Sequence, residues 1–126
     1  MNVLGQHLIL DVTLNEEITE FMINSILELV RKRLNVIKEV AHQFQPYGLT
    51  HVYILSESHF SLHTYPEHNY LSMDLYICNE SFDILSFERE LQSILNIKDK
   101  QSQVFLRGRI NSDISEILPQ FTGTEC

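Results

Sequence analysis

Glu57-Ser58-His59-Phe60-Ser61-Leu62-His63-Thr64-Tyr65-Pro66-Glu67 is the stretch on which the fold turns. From Phe60 it alternates at the period of a β-strand, with Phe60, Leu62 and Thr64 on one face and His59, Ser61 and His63 on the other. The run Leu71 to Cys78 alternates as well: Leu71, Met73, Leu75 and Ile77 are apolar, while Ser72, Asp74, Tyr76 and Cys78 are polar or reactive. Pro66-Glu67-His68-Asn69 between them reads as a hairpin loop. Pairing Tyr65 with Tyr70 sets His63 opposite Ser72, Ser61 opposite Asp74 and His59 opposite Tyr76. Opposed residues share a face, so one face is wholly apolar and the other carries His59, Ser61, His63, Asp74, Tyr76 and Cys78. A slip by one residue would bury the imidazoles among Leu and Ile, which fixes the register. The same register puts Cys78 opposite Glu57 and beside Ser58. A serine, a histidine and a cysteine are therefore expected to converge at the open end of this hairpin.

Working outward, Val3 to Val12 reads as a first strand interrupted by Gly5. Asn15 then precedes Glu16 and Glu17, and Ile18, Phe21, Met22, Ile26, Leu29 and Val30 form the stripe of an amphipathic helix that ends at Arg31-Lys32-Arg33. Strands follow at Val36 to Phe44 and Leu49 to Leu55, separated by the turn residues Pro46 and Gly48. Beyond the hairpin, Ser81 or Asp83 caps a second helix bearing Ile84, Phe87, Leu91, Ile94 and Leu95 on one face. Gln103 to Ile110 reads as a last strand, and Ile114, Ile117 and Leu118 as a closing turn. Strands at both ends with two helices between them predict an α+β, two-layer sandwich of an antiparallel sheet with both helices on one face.

At 126 residues the chain is one domain, 1–126, with a modest core. A net charge of −8 argues against a phosphate-binding surface for nucleic acid. The one basic cluster, Arg31 to Arg33, falls at a helix end, where it complements the helix dipole. No apolar run approaches the roughly 20 residues that span a bilayer, and the N-terminus has no signal-peptide pattern, so a cytoplasmic location is expected. In that setting the two cysteines, Cys78 and Cys126, are expected as free thiols.

Glu57-Ser58-His59, His63-Thr64-Tyr65-Pro66-Glu67 and Cys78 after a strand resemble the prokaryotic type of S-adenosylmethionine decarboxylase. The resemblance extends to Leu4-Gly5-Gln6-His7-Leu8 and Phe44-Gln45-Pro46-Tyr47-Gly48, and runs to about Arg107-Gly108. It implies a proenzyme that cleaves itself between Glu57 and Ser58 into residues 1–57 and 58–126. Ser58 would become a pyruvoyl group that forms a Schiff base with the substrate amine and accepts the electrons released with CO₂. It also implies that His63 handles protons in maturation, that Cys78 protonates the substrate carbon, that Glu67 binds the ribose hydroxyls and that Phe44 stacks on adenine. The substrate would be S-adenosylmethionine, the product the aminopropyl donor for spermidine, and the assembly a homodimer whose sites draw residues from both protomers. Two positions depart from the family pattern: Asn79 stands where Gly is usual after the cysteine, and Thr50 where a processing serine is common.

Other readings stand beside this one. A pyruvoyl-dependent arginine or ornithine decarboxylase would keep Ser58, His63 and Cys78 and change the pocket. A metal-binding module would use His59 and His63 with Asp74 or Cys78. A non-catalytic relative would not need Ser58, His63 and Cys78 together, and no nucleophile-elbow pattern supports a Ser-His-Asp hydrolase.

Overall fold

The computed structural model describes residues 3–109. Among them the chain runs β1 (Gly5–Leu14), α1 (Glu20–Arg33), β2 (Val36–Gln43), β3 (Leu49–Leu55), β4 (Ser58–Tyr65), β5 (Tyr70–Ile77), α2 (Ile84–Ser93) and β6 (Ile97–Arg107). The strands form one antiparallel sheet in the order β2-β3-β4-β5-β1-β6. The α+β sandwich expected from the sequence is the architecture found.

The central hairpin has the expected register, with Tyr65 opposite Tyr70, His63 opposite Ser72, Ser61 opposite Asp74 and His59 opposite Tyr76. A single 3-10 turn at Pro66–His68 joins the strands, closed by Asn69 in the left-handed region at φ 51°, which Asn tolerates better than most residues. The inner faces of β4 and β5 are buried at every second residue from Ser58 and Leu71 respectively.

Helix α1 starts later than Asn15 suggests. Thr19 is its cap, with Oγ1 accepting from the Met22 N–H at 3.1 Å, while the Asn15 amide donates to Asn96 Oδ1 at 2.9 Å and ties the β1–α1 loop to the α2–β6 connection. The buried stripe is Met22, Ile26, Leu27 and Val30. Phe21, expected on that stripe, lies outside its arc and is 82% exposed. Helix α2 is capped by Asp83, whose Oδ1 accepts from the Ser86 N–H, and buries Ile84, Phe87 and Leu91.

Both helices close on the face formed by Leu8, Leu10, Val12, Phe60, Leu62 and Leu75. Burying each such side chain is worth about 1.5–3 kcal/mol, which pins the helices to that one face. The helices leave the edges of the sheet uncovered: most of β2 and β6 is exposed on both faces. Strand β1 begins at Gly5, so that glycine opens the strand rather than interrupting it, and β6 begins at Ile97 rather than Gln103. The proposed closing turn at Ile114, Ile117 and Leu118, and Cys126, lie outside the described residues.

Candidate functional site

Ser58 stands where β3 turns sharply into β4. Leu55 pairs with Ser58, so Ser56 and Glu57 alone form the turn. Glu57 is held in the left-handed region at φ 53°, a conformation that costs a residue with a Cβ about 1–2 kcal/mol. The residue before the serine is therefore strained. Ser58 is buried on the core-facing side of the strand, at 7% exposure. Its Oγ accepts from the Cys78 N–H at 3.3 Å and donates to Cys78 Sγ at 3.9 Å. The same Sγ lies 3.7 Å from the Glu57 carbonyl oxygen.

The pairing of Ser58 with Cys78 is thus as the register implied, but the state of the sulfur is not: Cys78 is disulfide-bonded, against the expectation of free thiols. Any proton-donor role belongs to its reduced form. A cavity of about 160 Å³ opens beside Ser58, lined also by Arg33, Asn35, Ser56, Asn79 and Phe82. Asn79, unusual after the cysteine, shapes its wall. Its Oδ1 accepts from the Ser81 N–H and hydroxyl, and the amide of Gln6 ties the loop down by donating to the Phe82 carbonyl at 3.2 Å.

His63 is not part of this cluster. Along a strand rising about 3.3 Å per residue, five residues separate it from Ser58 by roughly 16 Å. The two side chains also point to opposite faces, because five is an odd number. That parity was present in the sequence, and the histidine at the open end of the hairpin, next to Ser58, is His59, opposite Tyr76.

At its own end of the sheet, His63 Nδ1 lies 3.0 Å from Thr50 Oγ1 on β3. Both line a cavity of about 370 Å³ with Phe44, Tyr47 and Glu67, a volume at the lower end of ligand clefts, which usually run about 300–1,000 Å³. Gly48, at φ 103°, lets the chain turn back from Phe44, with the Phe44 N–H donating to the Gly48 carbonyl at 2.8 Å. The sequence-predicted residues therefore fall into two groups, Ser58 with Cys78 and Phe44 with His63 and Glu67. The structure brings each group together and keeps them apart.

Midway between them, on the outer face, lies a cluster that the motif reading missed. Asp74 Oδ2 accepts from His7 Nε2 at 2.8 Å and from His59 Nε2 at 3.0 Å, and Ser61 donates to Oδ1. Burial pushes the Asp74 carboxyl up, but these hydrogen bonds, with the nearby His59, outweigh it and hold the group below the ordinary carboxylate range. His7 sits on β1, remote in sequence, and the buried alternation Leu8, Leu10, Val12, which puts His7 on the other face, was the signal that could have found it.

The donor atoms of His7, His59 and Asp74 lie within 4.8 Å of one another. Arg107, however, donates to His7 Nδ1 at 2.9 Å, so Nε2 carries the ring proton and aims it at Asp74. A metal would need the lone pair there. His63 and Cys78, the other expected metal ligands, are not in this cluster.

Comparison with solved structures matches the fold to a decarboxylase. The crystal structure of the adenosylmethionine decarboxylase from Aquifex aeolicus is similar with a TM-score of 0.73 and 31% identity, covering 89% of this chain and 97% of that one. The S-adenosylmethionine decarboxylase proenzyme of Clostridium botulinum (strain Loch Maree / Type A3) is 32% identical over 112 residues, 85% of this chain and 97% of the relative. That of Oceanobacillus iheyensis is 37% identical over 90 residues, 66% of this chain and 70% of the relative. A family model described as S-adenosylmethionine decarboxylase matches residues 6–108, and the chain belongs to that family. Among the described residues no helix is long and apolar enough to cross a membrane.

Proposed function

We propose that this chain is a proenzyme that cuts itself between Glu57 and Ser58 and, with the pyruvoyl group so formed at residue 58, decarboxylates S-adenosylmethionine. The observation that carries this reading is the seat of Ser58, on a turn whose preceding residue is left-handed and whose nucleophile is held by Cys78. Family membership and the proenzyme names of the relatives support it.

The residues present fit the group, because Ser58 with its side chain, the Glu57 carbonyl beside it and water supply everything it needs. Attack of Ser58 Oγ on the Glu57 carbonyl carbon closes a five-membered ring. Rupture of the C–N bond, with the nitrogen taking the hydroxyl proton, then leaves an ester. Loss of the Ser58 α-proton expels the Glu57 carboxylate and leaves dehydroalanine. Its enamine tautomerises to an imine, water adds and ammonia departs, giving the ketone with no outside oxidant. When present, that ketone supplies an electrophile for the substrate amine and a sink for the electron pair released with CO₂. Reduced Cys78 beside it is the donor for the proton that replaces CO₂.

His63, oriented by Thr50, handles protons in maturation, Phe44 gives its face to adenine and Glu67 accepts from the ribose hydroxyls. These residues share a cavity at the far end of β4 from Ser58. A complete site therefore takes Ser58 and Cys78 from one copy and the nucleoside pocket from another, in a homodimer. A two-fold axis crossing the strands near the Ser61–Asp74 row would exchange the two ends. The outer sheet face suits such burial. Val40, Ile54 and Phe105, respectively 57%, 47% and 40% exposed, lie on the same side as His59 and His63.

Intact mass spectrometry followed by CO₂ release tests the reading. The expected result is one piece ending at Glu57, another with a blocked residue 58, and CO₂ from S-adenosylmethionine but not from arginine or ornithine. Ser58→Ala should remain whole. A wild-type chain still intact after prolonged incubation, with Ser58 unmodified, overturns it.

A further inference from the structure

The Asp74 cluster takes no part in the chemistry above, yet it ties four strands together. His59, on β4, reaches diagonally to Asp74 on β5 rather than to its direct partner Tyr76, on which its ring is stacked at 18°. Asp74 is held in turn by Ser61 from β4 and His7 from β1. His7 is anchored by Arg107 of β6, whose guanidinium also lies 5.6 Å over the Tyr76 ring. The Arg107 charge balances that of Asp74. A half-buried carboxylate network of this kind fixes the placement of the strands it joins, beyond any stability it adds.

What it places is the end of the β4–β5 ladder. His59 opposite Tyr76 is the last pair on that side, and Ser58 lies one residue beyond it. Among the described residues, Ser58 Oγ is held by hydrogen bonds to Cys78, the residue just past the end of β5, and the left-handed Glu57 adjoins it at the turn. Fraying of residues 57–59 from β5 would carry Oγ away from its place. The clamp on His59 sits where this fraying must be stopped.

We propose that Asp74 is a positioning residue for self-cleavage, clamping His59 to β5 so that Ser58 stays seated against Cys78 at the strained turn. This rests on the reading of Ser58 as the self-cleaving residue. The test follows the appearance of the two fragments on denaturing gels after cell-free synthesis of wild type, Asp74→Asn, Asp74→Glu and His59→Gln. Each chain is also treated with hydroxylamine, which splits an ester but not a peptide bond.

Asp74→Asn and His59→Gln are expected to cleave about tenfold or more slowly, the loss that follows removal of a hydrogen bond to a charged group. Hydroxylamine should not restore splitting, since the ester itself is not formed, and Asp74→Glu should recover part of the rate. A folded Asp74→Asn that cleaves at the wild-type rate overturns the proposal. So does slowing that hydroxylamine abolishes, because the defect would then lie in elimination. If Asp74→Asn fails to fold, His59→Gln decides by the same two readouts. A wild-type chain that never cleaves removes the reading of Ser58 and this proposal together, whereas normal cleavage by the variants alone removes only the proposal.

Discussion

Mixing two inactive variants tests where His63 works. Ser58→Ala removes the nucleophile, and His63→Ala removes the imidazole beside Thr50 without touching the Ser58 turn. The two positions lie roughly 16 Å apart along β4 and on opposite faces, too far for an imidazole to serve the serine of its own chain. In a two-fold assembly that exchanges strand ends, a mixed dimer has one site with both residues and one with neither. About half of the sites in a purified mixed dimer should then be competent, or about a quarter after unsorted mixing. The two chains are co-expressed with different tags, isolated through both tags in turn, and run on a denaturing gel. The His63→Ala chain should be cut when its partner is Ser58→Ala and stay whole when paired with itself. The Ser58→Ala chain should never be cut. A His63→Ala chain that remains whole in the mixed dimer refutes the composite site, and one that matures unaided refutes the role of His63.

Cys78→Ala, assayed beside wild type with reductant present, should still mature but lose about 10²–10⁴-fold in decarboxylation, the usual worth of a general acid, or divert to transamination of the pyruvoyl group. Wild-type turnover would make Cys78 a packing residue. Glu67→Gln keeps shape and loses charge, so binding of S-adenosylmethionine should weaken by about ten- to a hundredfold, measured by calorimetry; unchanged affinity detaches Glu67 from the ribose. The lowered Asp74 carboxyl gives stability that is fully present above its unfolded value, near 3.9 in ordinary carboxylates, and is lost as pH falls through the folded one. Acid unfolding of Asp74→Asn should therefore be less steep below about pH 4 than that of wild type, and equal slopes would count against the hydrogen bonds that lower it.

Much of the fold was legible because the central strands are buried on one face and not on the other. Period-2 alternation fixed the β4–β5 register to the residue, and the bounds of β3 came out as read. Where burial weakens, so does the pattern. Ile97-Lys98-Asp99-Lys100-Gln101-Ser102 opens an edge strand with little covering on either face, so nothing selects an alternating sequence there. The start of α1 misled for another reason. Asn15 has the chemistry of a cap, but its amide is engaged by Asn96, eighty-one residues on, and local reading cannot see that partner. In the site, the residues singled out from the sequence fall into two groups at opposite ends of β4. Ser58, His63 and Cys78 are close in sequence and in one hairpin, yet an odd spacing separates the first two.

Topology also bears on how a chain cut at residue 57 could remain one molecule. The first 57 residues supply β1, β2 and β3, and the remainder supplies β4, β5 and β6. In the order β2-β3-β4-β5-β1-β6, the ladders β3–β4, β5–β1 and β1–β6 join the two pieces, three of the five. Strand β1 lies between two strands of the other piece, and its Leu8, Leu10 and Val12 are fully within the core. Separation would expose that core and break both ladders of β1 at once. The proposed scissile bond, by contrast, lies at a two-residue turn that contributes no ladder pair of its own beyond Leu55–Ser58. A cut at this left-handed turn would thus break the backbone where it costs few ladder contacts, and the interleaved strands would hold the two pieces in the geometry of the uncut chain.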